Sequence, residues 1–332
     1  MIDPPLVSIV LAAYNAEAHV TGALARLTGQ TYRRIEVIVV DDGSEDDTLA
    51  TARRAAASDP RLRVVANSGN RGVAAARNRG TEAAAGEYIW FADVDDGWSD
   101  RFVELMVSAI QATDADVAVC SAEYRYGPRL DRREPVVRYR QRTTLTGDKA
   151  AACLLRGTGA LWNKLFRRDL LGPAPFPALR SKSDHGALLR VLPRLRTVTI
   201  VRDTLYTYIQ RDGSISNGGV AEPSNFLSLL TIADQSVMRM ETSRALRRAA
   251  VRFRCVIIAR ALRETWRFAR LEEDTSSELA RRVRWVDLLG GHPADVRTLV
   301  TCAAAKCSPG LARTAFRTLG RSRWPEHGIV MS

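Results

Sequence analysis

Short apolar runs alternate with helical segments through the first third of the chain, and this alternation limits the fold more than any other feature. Four β-branched runs have the length of a strand that is buried on both faces, and they occupy residues 6–13, 35–40, 62–66 and 88–92. Segments with helical spacing separate them. The pattern predicts an α/β fold in which helices cover both faces of a mostly parallel sheet.

Acidic clusters follow two of these predicted strands. Asp41 and Asp42 end the second strand, and Asp93, Asp95 and Asp96 end the fourth. Ligands of open α/β sheets bind beyond the carboxyl ends of the strands, and clustered carboxylates repel one another unless a cation lies between them. Because hard oxygen ligands suit Mg²⁺ or Mn²⁺, the fourth-strand cluster predicts a metal site. The alternative for this cluster is a solvated acidic loop or a helix N-cap, and the alternative for Asp41 and Asp42 is an Asp-Gly turn that caps the next helix.

A glycine and an arginine mark the start of a predicted helix over 73–85. Gly72 precedes the helix, and Arg77 lies one turn inside it. Free N–H groups at such a helix start can hold an anion, and the alanines between the two residues leave room for one. Taken alone, this feature indicates no particular ligand.

The motifs together resemble those of family 2 glycosyltransferases with the GT-A fold. The resemblance is dense over residues 6–100, and it rests on Val7-Ser8-Ile9-Val10, Tyr14-Asn15, Gln30-Thr31-Tyr32, Glu36 to Ser44, Asn70 to Gly80 and Gly86 to Asp96. Weaker matches continue at Leu161 to Phe166, Ser183-Asp184-His185 and Arg211 to Ser216. The resemblance implies the fold of nucleotide-diphospho-sugar transferases, a Rossmann-like mixed sheet flanked by helices.

The resemblance also implies roles for the matching residues. Those expected to bind the nucleotide sugar are Ala12, Ala13, Tyr14, Asn15, Asp42, Arg77, Asp93, Val94, Asp95 and Arg211. Asp95 and Asp93 are the expected ligands of the Mn²⁺ or Mg²⁺ ion that bridges the diphosphate, and Asp95 is preferred as the direct ligand. Arg211 belongs to a loop that can close over the diphosphate. The usual proline of the first motif is Ala13 here.

Asp184 matches the catalytic base of the family. The residue before it is Ser183, where the family usually has glutamate, and the alternative for Asp184 is a carboxylate that the helix dipole stabilises. The residues expected at the acceptor are Trp162, Asn163, Lys164 and His185. Aromatic residues stack on sugars but also fill cores, and no motif specifies the acceptor.

These assignments predict a metal-assisted, inverting glycosyltransferase of the hexosyltransferase type. A metal ion and arginine side chains would stabilise the leaving diphosphate of a UDP-sugar, while Asp184 would remove the proton of an acceptor hydroxyl. A single displacement inverts the anomeric carbon. The expected acceptor is a saccharide, lipid-linked or small-molecule hydroxyl in bacterial polysaccharide, cell-wall or natural-product biosynthesis.

Two other classes of protein stay open. The first is a catalytically lapsed relative that binds nucleotide sugars or acts as a scaffold, and the retained carboxylates at 93–96 and Asp184 speak against it. The second is a sugar nucleotidyltransferase, which needs a phosphate loop rich in glycine and basic residues after the first strand. Residues 11–22 contain neither Lys nor Arg, so the sequence disfavours this class.

The sequence divides into two regions. Residues 1–220 are expected to form the catalytic domain, with nucleotide-sugar binding in 1–122 and the base and acceptor in 123–220. Within the second part, the polar stretch 124–148 is expected to be an extended connection. Residues 221–332 show helical spacing between arginines and are expected to form a C-terminal helical region.

The net charge of +12 is concentrated in the C-terminal region, where residues 221–332 carry 19 basic and 11 acidic side chains. A solvated, arginine-rich helix surface explains this charge, and peripheral contact with a membrane, a polyanionic acceptor or a second subunit in a homodimer is the alternative. No specific nucleic-acid binding is expected. No segment approaches the ~18 apolar residues of a membrane span. Without a signal peptide, and with five scattered cysteines, the chain is expected in the cytoplasm, including the inner face of the membrane.

Overall fold

The structure is a computed structural model, and it describes residues 3–126, 131–210, 223–240, 243–267, 273–289, 296–319 and 329–330. The first strands are β1 Val7–Ala13, β2 Ile35–Asp41, β3 Leu62–Ala66, β4 Tyr88–Asp93 and the short β5 Gly97–Trp98. The helices between and after them are α1 Glu17–Thr28, α2 Thr48–Ser58, α3 Val73–Ala83 and α4 Phe102–Thr113. This alternation confirms the predicted α/β fold.

Residues 117–209 add strands and helices in a less regular order: β6 Val117–Tyr126, β7 Arg132–Arg138, β8 Thr143–Thr146, α5 Gly147–Arg156, β9 Lys164–Arg167, α6 Arg168–Leu171, α7 Ser183–Val191 and β10 Thr197–Ile209. The expectation of a simple extended connection over 124–148 is therefore wrong. β6 runs on to Tyr126, and β7 and β8 follow it. These strands form because they find partners elsewhere in the chain, β6 for β7 and β10 for β8.

The strands form one mixed sheet in the order β3-β2-β1-β4-β9-β6-β7, with β10 paired to β6. Strands β1 to β4 are parallel, whereas β9 runs antiparallel between β4 and β6. The register sets Ala12 beside Asp93 and Ala13 beside Asp41. Both acidic strand ends therefore flank the end of β1, at the edge where ligands of such sheets bind.

The parallel strands β1, β2 and β4 are mostly buried on both faces, as their apolar runs require, whereas β3 at the edge of the sheet exposes Arg63. In β1, Ile9, Val10 and Leu11 have no exposed surface. Helix α3 approaches this strand so closely that a Cβ on Gly80 would lie 2.3 Å from Val10 Cγ1. Because only glycine fits at that position, the helix that carries Arg77 is held tightly against the strand that ends at the site.

The remaining described residues are mostly helical, as predicted for the C-terminal region: α8 Pro223–Met238, α9 Arg244–Arg267, α10 Glu273–Arg282, α11 Trp285–Leu289, α12 Val296–Cys307 and α13 Pro309–Leu319. Helix α9 packs against α5. The exception to the helical prediction is β11 Ile329–Val330, which pairs with β7 and returns the chain to the sheet. Within the described ranges, no helix is both long and apolar enough to cross a membrane.

Candidate active site

Loops after three neighbouring strands meet at the carboxyl edge of the sheet. The amide of Asp42 donates to the Ala13 carbonyl at 2.8 Å, and the amide of Asn67 donates to the Asp41 carbonyl at 2.8 Å. These bonds tie together the loops after β1, β2 and β3. The acidic segment after β4 lies on the other side of β1. The candidate site is built between these loops.

Asp42 holds the segment that leads into α3. Its carboxylate accepts hydrogen bonds from Asn67 Nδ2 at 2.7 Å, from the Arg71 amide at 3.1 Å and from the Gly72 amide at 2.7 Å. Gly72 has a φ of +86°, which favours glycine. Asp42 is buried and accepts three hydrogen bonds, two at Oδ1 and one at Oδ2. A carboxylate accepts about four, so Oδ2 keeps an acceptor position for the predicted contact with the base or ribose.

Asp41 differs from its neighbour. It has no exposed surface, and its Oδ2 accepts hydrogen bonds from the amides of Gly43 and Ser44 at 3.2 Å each. Its Oδ1 is buried without a hydrogen-bond partner among the described residues. The Asp41 carboxylate therefore caps the turn after β2, which is the structural role that the sequence left open for this cluster.

The loop after β1 is fastened to the same turn. The Asn15 amide donates to Ser44 Oγ at 3.0 Å, and the Glu45 amide donates to Asn15 Oδ1 at 2.9 Å. Asn15 has a left-handed φ of +46°, which is uncommon for a residue other than glycine. Tyr14 is 43% exposed, so its ring stands open to solvent next to Ala12 and Ala13 at the end of β1.

Arg77 and Asp93 connect α3 to the acidic segment after β4. Arg77 donates to Asp93 Oδ1 at 2.7 Å and is buried, with its guanidinium 5.6 Å from the ring centre of Phe176. Burial acts to lower the pKa of Arg77, but the charges of Asp93 and Asp184 outweigh it and raise that pKa. Burial raises the pKa of Asp93 despite the arginine, and Asp95 and Asp184 add to the rise.

Asp96 completes the acidic cluster but braces the fold. Its Oδ2 accepts a hydrogen bond from the Tyr206 hydroxyl at 2.6 Å, and its Oδ1 accepts one from the Ile209 amide at 2.9 Å. Burial and the nearby charge of Asp93 raise its pKa well above the usual range. Asp96 therefore joins the strand end of β4 to β10. No sequence pattern separates Asp96 from Asp93 and Asp95.

Asp184 lies in the first turn of α7, half-buried. Burial acts to raise its pKa, but its neighbour His185 and the cations Arg77 and Lys182 lower it well below the usual range. The carboxylate is therefore ionised at neutral pH, as a proton acceptor must be. Lys182 directly precedes the helix with a left-handed φ of +64°, and strain of this kind is typical of functional segments.

His185 is enclosed between the sheet domain and the C-terminal helices. A Cβ on Gly159 would lie 2.1 Å from its Cδ2, so the ring rests directly on that glycine. On the other side, the Phe253 ring of α9 lies with its centroid 6.5 Å away. His185 Nδ1 is 3.9 Å from Asp184 Oδ1, too far for a hydrogen bond, and has no partner among the described residues. Burial lowers the pKa of His185, which favours the neutral ring.

Asn163 and Lys164 lie inside the protein. Lys164 Nζ donates to the carbonyls of Thr158 and Ala160 at 2.9 and 2.6 Å and to Asn163 Oδ1 at 2.8 Å. Asn163 Nδ2 donates to the Cys120 carbonyl at 2.7 Å. Burial lowers the pKa of Lys164 to about 8. These bonds brace the loop before β9, and the predicted acceptor contacts of both residues stay predictions without a contact that favours them.

Trp162 belongs to an aromatic row beside the acidic cluster. It stacks on Tyr206, with ring centroids 4.4 Å apart and planes 15° apart, and lies 6.1 Å from Tyr208. Only 7% of Trp162 is exposed, so most of its surface is used in this packing. Its contact with an acceptor sugar stays a prediction, as does that of His185.

The carboxylates of the acidic segment are of the type that divalent metal ions prefer. Among the residues that the structure describes, no three His, Cys, Asp or Glu side chains converge into a preformed metal site. Mg²⁺ and its relatives are commonly held by one or two carboxylates together with substrate phosphates. Asp93 and Asp95 lie two residues apart in this segment and are the candidate pair. Val94 lies between them. Arg211 lies outside the described residues.

The sheet and its strand-end site define an α/β protein of the GT-A type. The family model described as "Glycosyl transferase family 2" matches residues 8–172. The chain is 30% identical over 193 residues to the Escherichia coli UDP-Glc:alpha-D-GlcNAc-diphosphoundecaprenol beta-1,3-glucosyltransferase WfgD, covering 58% of this chain and 71% of that protein. The chain belongs to glycosyltransferase family 2, as its motifs indicated.

A further relative matches part of the chain, and two solved structures share its fold. The chain is 32% identical over 217 residues to the putative glycosyltransferase EpsH of Bacillus subtilis, covering 62% of this chain and 61% of EpsH, so about two fifths of that relative has no counterpart in the match. Staphylococcus aureus TarS 1-349 in complex with UDP-GlcNAc shares the fold with a TM-score of 0.71 and 19% identity, covering 96% of this chain and 93% of that one. The mannosyltransferase PcManGT of Pyrobaculum calidifontis, solved with GDP-Man and Mn²⁺, has a TM-score of 0.56 and 16% identity, with coverage of 97% and 89%.

Proposed function

We propose that this chain transfers a sugar from a UDP-sugar to an acceptor hydroxyl, with inversion at the anomeric carbon. The observation that carries the proposal is the ion pair between the buried Arg77 and Asp93. The charge of Asp184 also acts on Arg77, because it raises the pKa of the arginine. The groups suited to a diphosphate and to a proton transfer thus belong to one electrostatic cluster. The printed name of WfgD specifies UDP-Glc, and TarS was solved with UDP-GlcNAc, which supports UDP as the nucleotide.

On the donor side, we assign the nucleotide to the loops after β1 and β2. Tyr14 offers an exposed ring, and Asp42 offers a carboxylate whose Oδ2 keeps an acceptor position. Arg77 is placed to balance negative charge beside Asp93. Arg211 stays assigned to the diphosphate from the family resemblance.

We assign a Mn²⁺ or Mg²⁺ ion to Asp95, with Asp93 beside it. Such an ion supplies a positive charge that stabilises the leaving diphosphate. PcManGT was solved with Mn²⁺, which supports the choice. Asp93 is held in place by Arg77, so the protein orients this carboxylate before any metal or substrate arrives.

On the acceptor side, Asp184 is the proposed general base. Its lowered pKa keeps it ionised, so it can accept the proton of an acceptor hydroxyl as that oxygen attacks the anomeric carbon. Its neighbour His185 and the aromatic Trp162 are the proposed contacts of the acceptor. By its printed name, WfgD acts on a diphosphoundecaprenol-linked sugar, and we propose a lipid-linked saccharide here, used at the inner face of the membrane.

The two regions of the chain have different proposed roles. We propose that residues 1–220 form the catalytic domain and that 221–332 support it. In the described segments, α9 packs against α5. Phe253 of α9 lies beside the ring of His185, which is the neighbour of the proposed base Asp184. The C-terminal helices are thus connected to the reaction through the position of α7.

Calorimetric titration with UDP, dTDP and GDP, each with and without Mn²⁺, tests the proposal. We expect metal-dependent binding of UDP, and Asp95→Asn should remove the metal dependence while the thermal unfolding transition stays in place. Asp100→Asn is the matched control, because this exposed aspartate follows the same segment. If none of the three nucleotides binds, the lapsed-enzyme class replaces the proposal.

A further inference from the structure

Helix α12 and the first turn of α13 expose apolar side chains. Val300 is 58% exposed and Leu311 is 73% exposed, and Ala304 and Cys307 are exposed between them. Val300, Ala304 and Cys307 follow a spacing of four and three residues, so they share one face of α12. We call these four residues the apolar stripe.

The opposite face of α12 is packed into the protein, and this fixes the direction of the stripe. Cys302 and Ala305 have no exposed surface, and Thr298 is buried. The Cys302 thiol lies 3.5 Å from the Cys255 carbonyl of α9. The apolar stripe therefore points away from α9 toward solvent. Transfer of such apolar side chains out of water is favourable in free energy.

The charged residues of this hairpin all have one sign. Residues 296–319 contain Arg297, Lys306, Arg313 and Arg317, and they contain no Asp or Glu. Exposed apolar residues among cations alone are typical of helices that lie at an anionic lipid surface. A second copy of the chain would bring the same positive charges against these, so the charge favours a lipid surface over self-association.

We propose that the α12–α13 hairpin docks on membranes that contain anionic lipids, with the apolar stripe in the headgroup region and the cations Lys306 and Arg313 near the lipid phosphates. This proposal does not rest on the transferase function, because α12 and α13 alone form the surface. For an acceptor held by a lipid, docking of this kind would keep the catalytic domain beside its substrate.

Cys307 gives a direct test of the docking surface. The chain's other four cysteines are buried, so a polarity-sensitive maleimide dye reacts selectively with Cys307 in the native protein. The labelled protein is mixed with vesicles of phosphatidylcholine alone, or of phosphatidylcholine with phosphatidylglycerol. We expect a blue shift and increased emission with the phosphatidylglycerol vesicles, and no change with phosphatidylcholine alone.

Met238 provides the matched control position, since it is 83% exposed on α8, outside the hairpin. The same dye on Met238→Cys, in a Cys307→Ser background, should keep its emission with both kinds of vesicle. Val300→Glu combined with Leu311→Glu should weaken vesicle binding by about tenfold or more, whereas Met238→Glu should leave it unchanged. Thermal unfolding of each variant verifies that it is folded.

Three results would overturn the docking proposal. The first is unchanged emission with phosphatidylglycerol vesicles at low ionic strength. The second is an equal change at both dye positions, which would indicate binding by another surface. The third is an emission change that depends on protein concentration without vesicles, which would identify a second copy of the chain as the occupant. UDP binding is measured separately, so failure of the transferase proposal is distinguished from failure of this one.

Discussion

Arg77 of α3 and Asp93 at the end of β4 form an ion pair with 2.7 Å between nitrogen and oxygen. The arginine side chain is 9% exposed, whereas the aspartate keeps 28% of its side chain exposed. The cation is thus fixed inside the protein while its partner still meets solvent at the site. A charge held in this way is in place before a diphosphate arrives, so binding needs little reorganisation.

Replacing Arg77 with Gln should weaken UDP binding and destabilise the fold together. Asp93 would lose its counter-charge beside Asp95 and Asp184, so we expect about tenfold weaker UDP binding in the presence of Mn²⁺. We also expect about 2 kcal/mol less stability, because an unpaired, partly buried carboxylate remains. Calorimetry and urea unfolding measure the two effects. Arg63→Gln, at an exposed position on β3, should change neither, and equal effects of both variants would contradict the assigned role.

Replacing Lys164 with Met should cost about 2–3 kcal/mol at pH 7, because the carbonyls of Thr158 and Ala160 and the Asn163 side chain lose their donor. The cost should also depend on pH. The folded protein has a Lys164 pKa of about 8, below the unfolded value of about 10.4. Between these values the unfolded chain binds more protons, so wild-type stability rises with pH across this window.

Urea unfolding at intervals from pH 7 to pH 10 measures this dependence. Relative to Lys164→Met, the wild type should gain up to about 1.4 kcal/mol per pH unit above pH 8. Lys149→Met removes an exposed lysine and should run parallel to the wild type. A constant difference between wild type and Lys164→Met over this range would show that Lys164 is not perturbed.

The first four strands could be predicted from sequence because their signal is local. Each is a short and mostly apolar run, and the register that follows from parallel pairing puts Asp41 and Asp93 on either side of β1. The strands of 124–148 could not be predicted, because their residues are polar and become strands only by pairing with β6 and β10.

The burial of Asn163 and Lys164 also could not be predicted from the sequence. Both are polar residue types that usually stay at the surface, and their position depends on β9 entering the sheet between β4 and β6. The packing of Gly159 on His185 joins residues from separate segments, so no spacing could reveal it. Asp96 differs from Asp93 and Asp95 because it accepts a hydrogen bond from Tyr206. Tyr206 is far from Asp96 in the chain, so this difference could not be predicted from the sequence.

Replacing Gly159 with Ala should displace the His185 ring, because the new Cβ would lie 2.1–2.5 Å from three ring atoms. We expect a loss of about 1–3 kcal/mol in stability and slower sugar transfer with little change in UDP affinity. Gly69→Ala, where a Cβ meets nothing within 4 Å, is the control. Adding His185→Ala should recover part of the stability that Gly159→Ala loses, since the clash is then gone. Additive losses in the double variant would show that the two residues do not press on each other.

Asp184→Asn should separate donor binding from catalysis. The amide keeps the size of the side chain but accepts no proton, so we expect transfer to fall by about 10²–10⁴-fold, while UDP affinity changes little because Arg77 keeps its bond to Asp93. Transfer is measured as UDP release from UDP-glucose or UDP-GlcNAc with a bacterial lipid extract as the acceptor source. The matched control is Asp169→Asn, which changes an exposed aspartate in the first turn of α6 and should retain full activity. Because the pKa of Asp184 is lowered well below its usual range, the wild-type rate should show no loss of this base as the pH falls from 8 to about 4, close to the ordinary aspartate value at which an unperturbed base is half protonated. Retained turnover in Asp184→Asn would remove the residue from the role of base, and the neutral His185 beside it would then be the next side chain to replace.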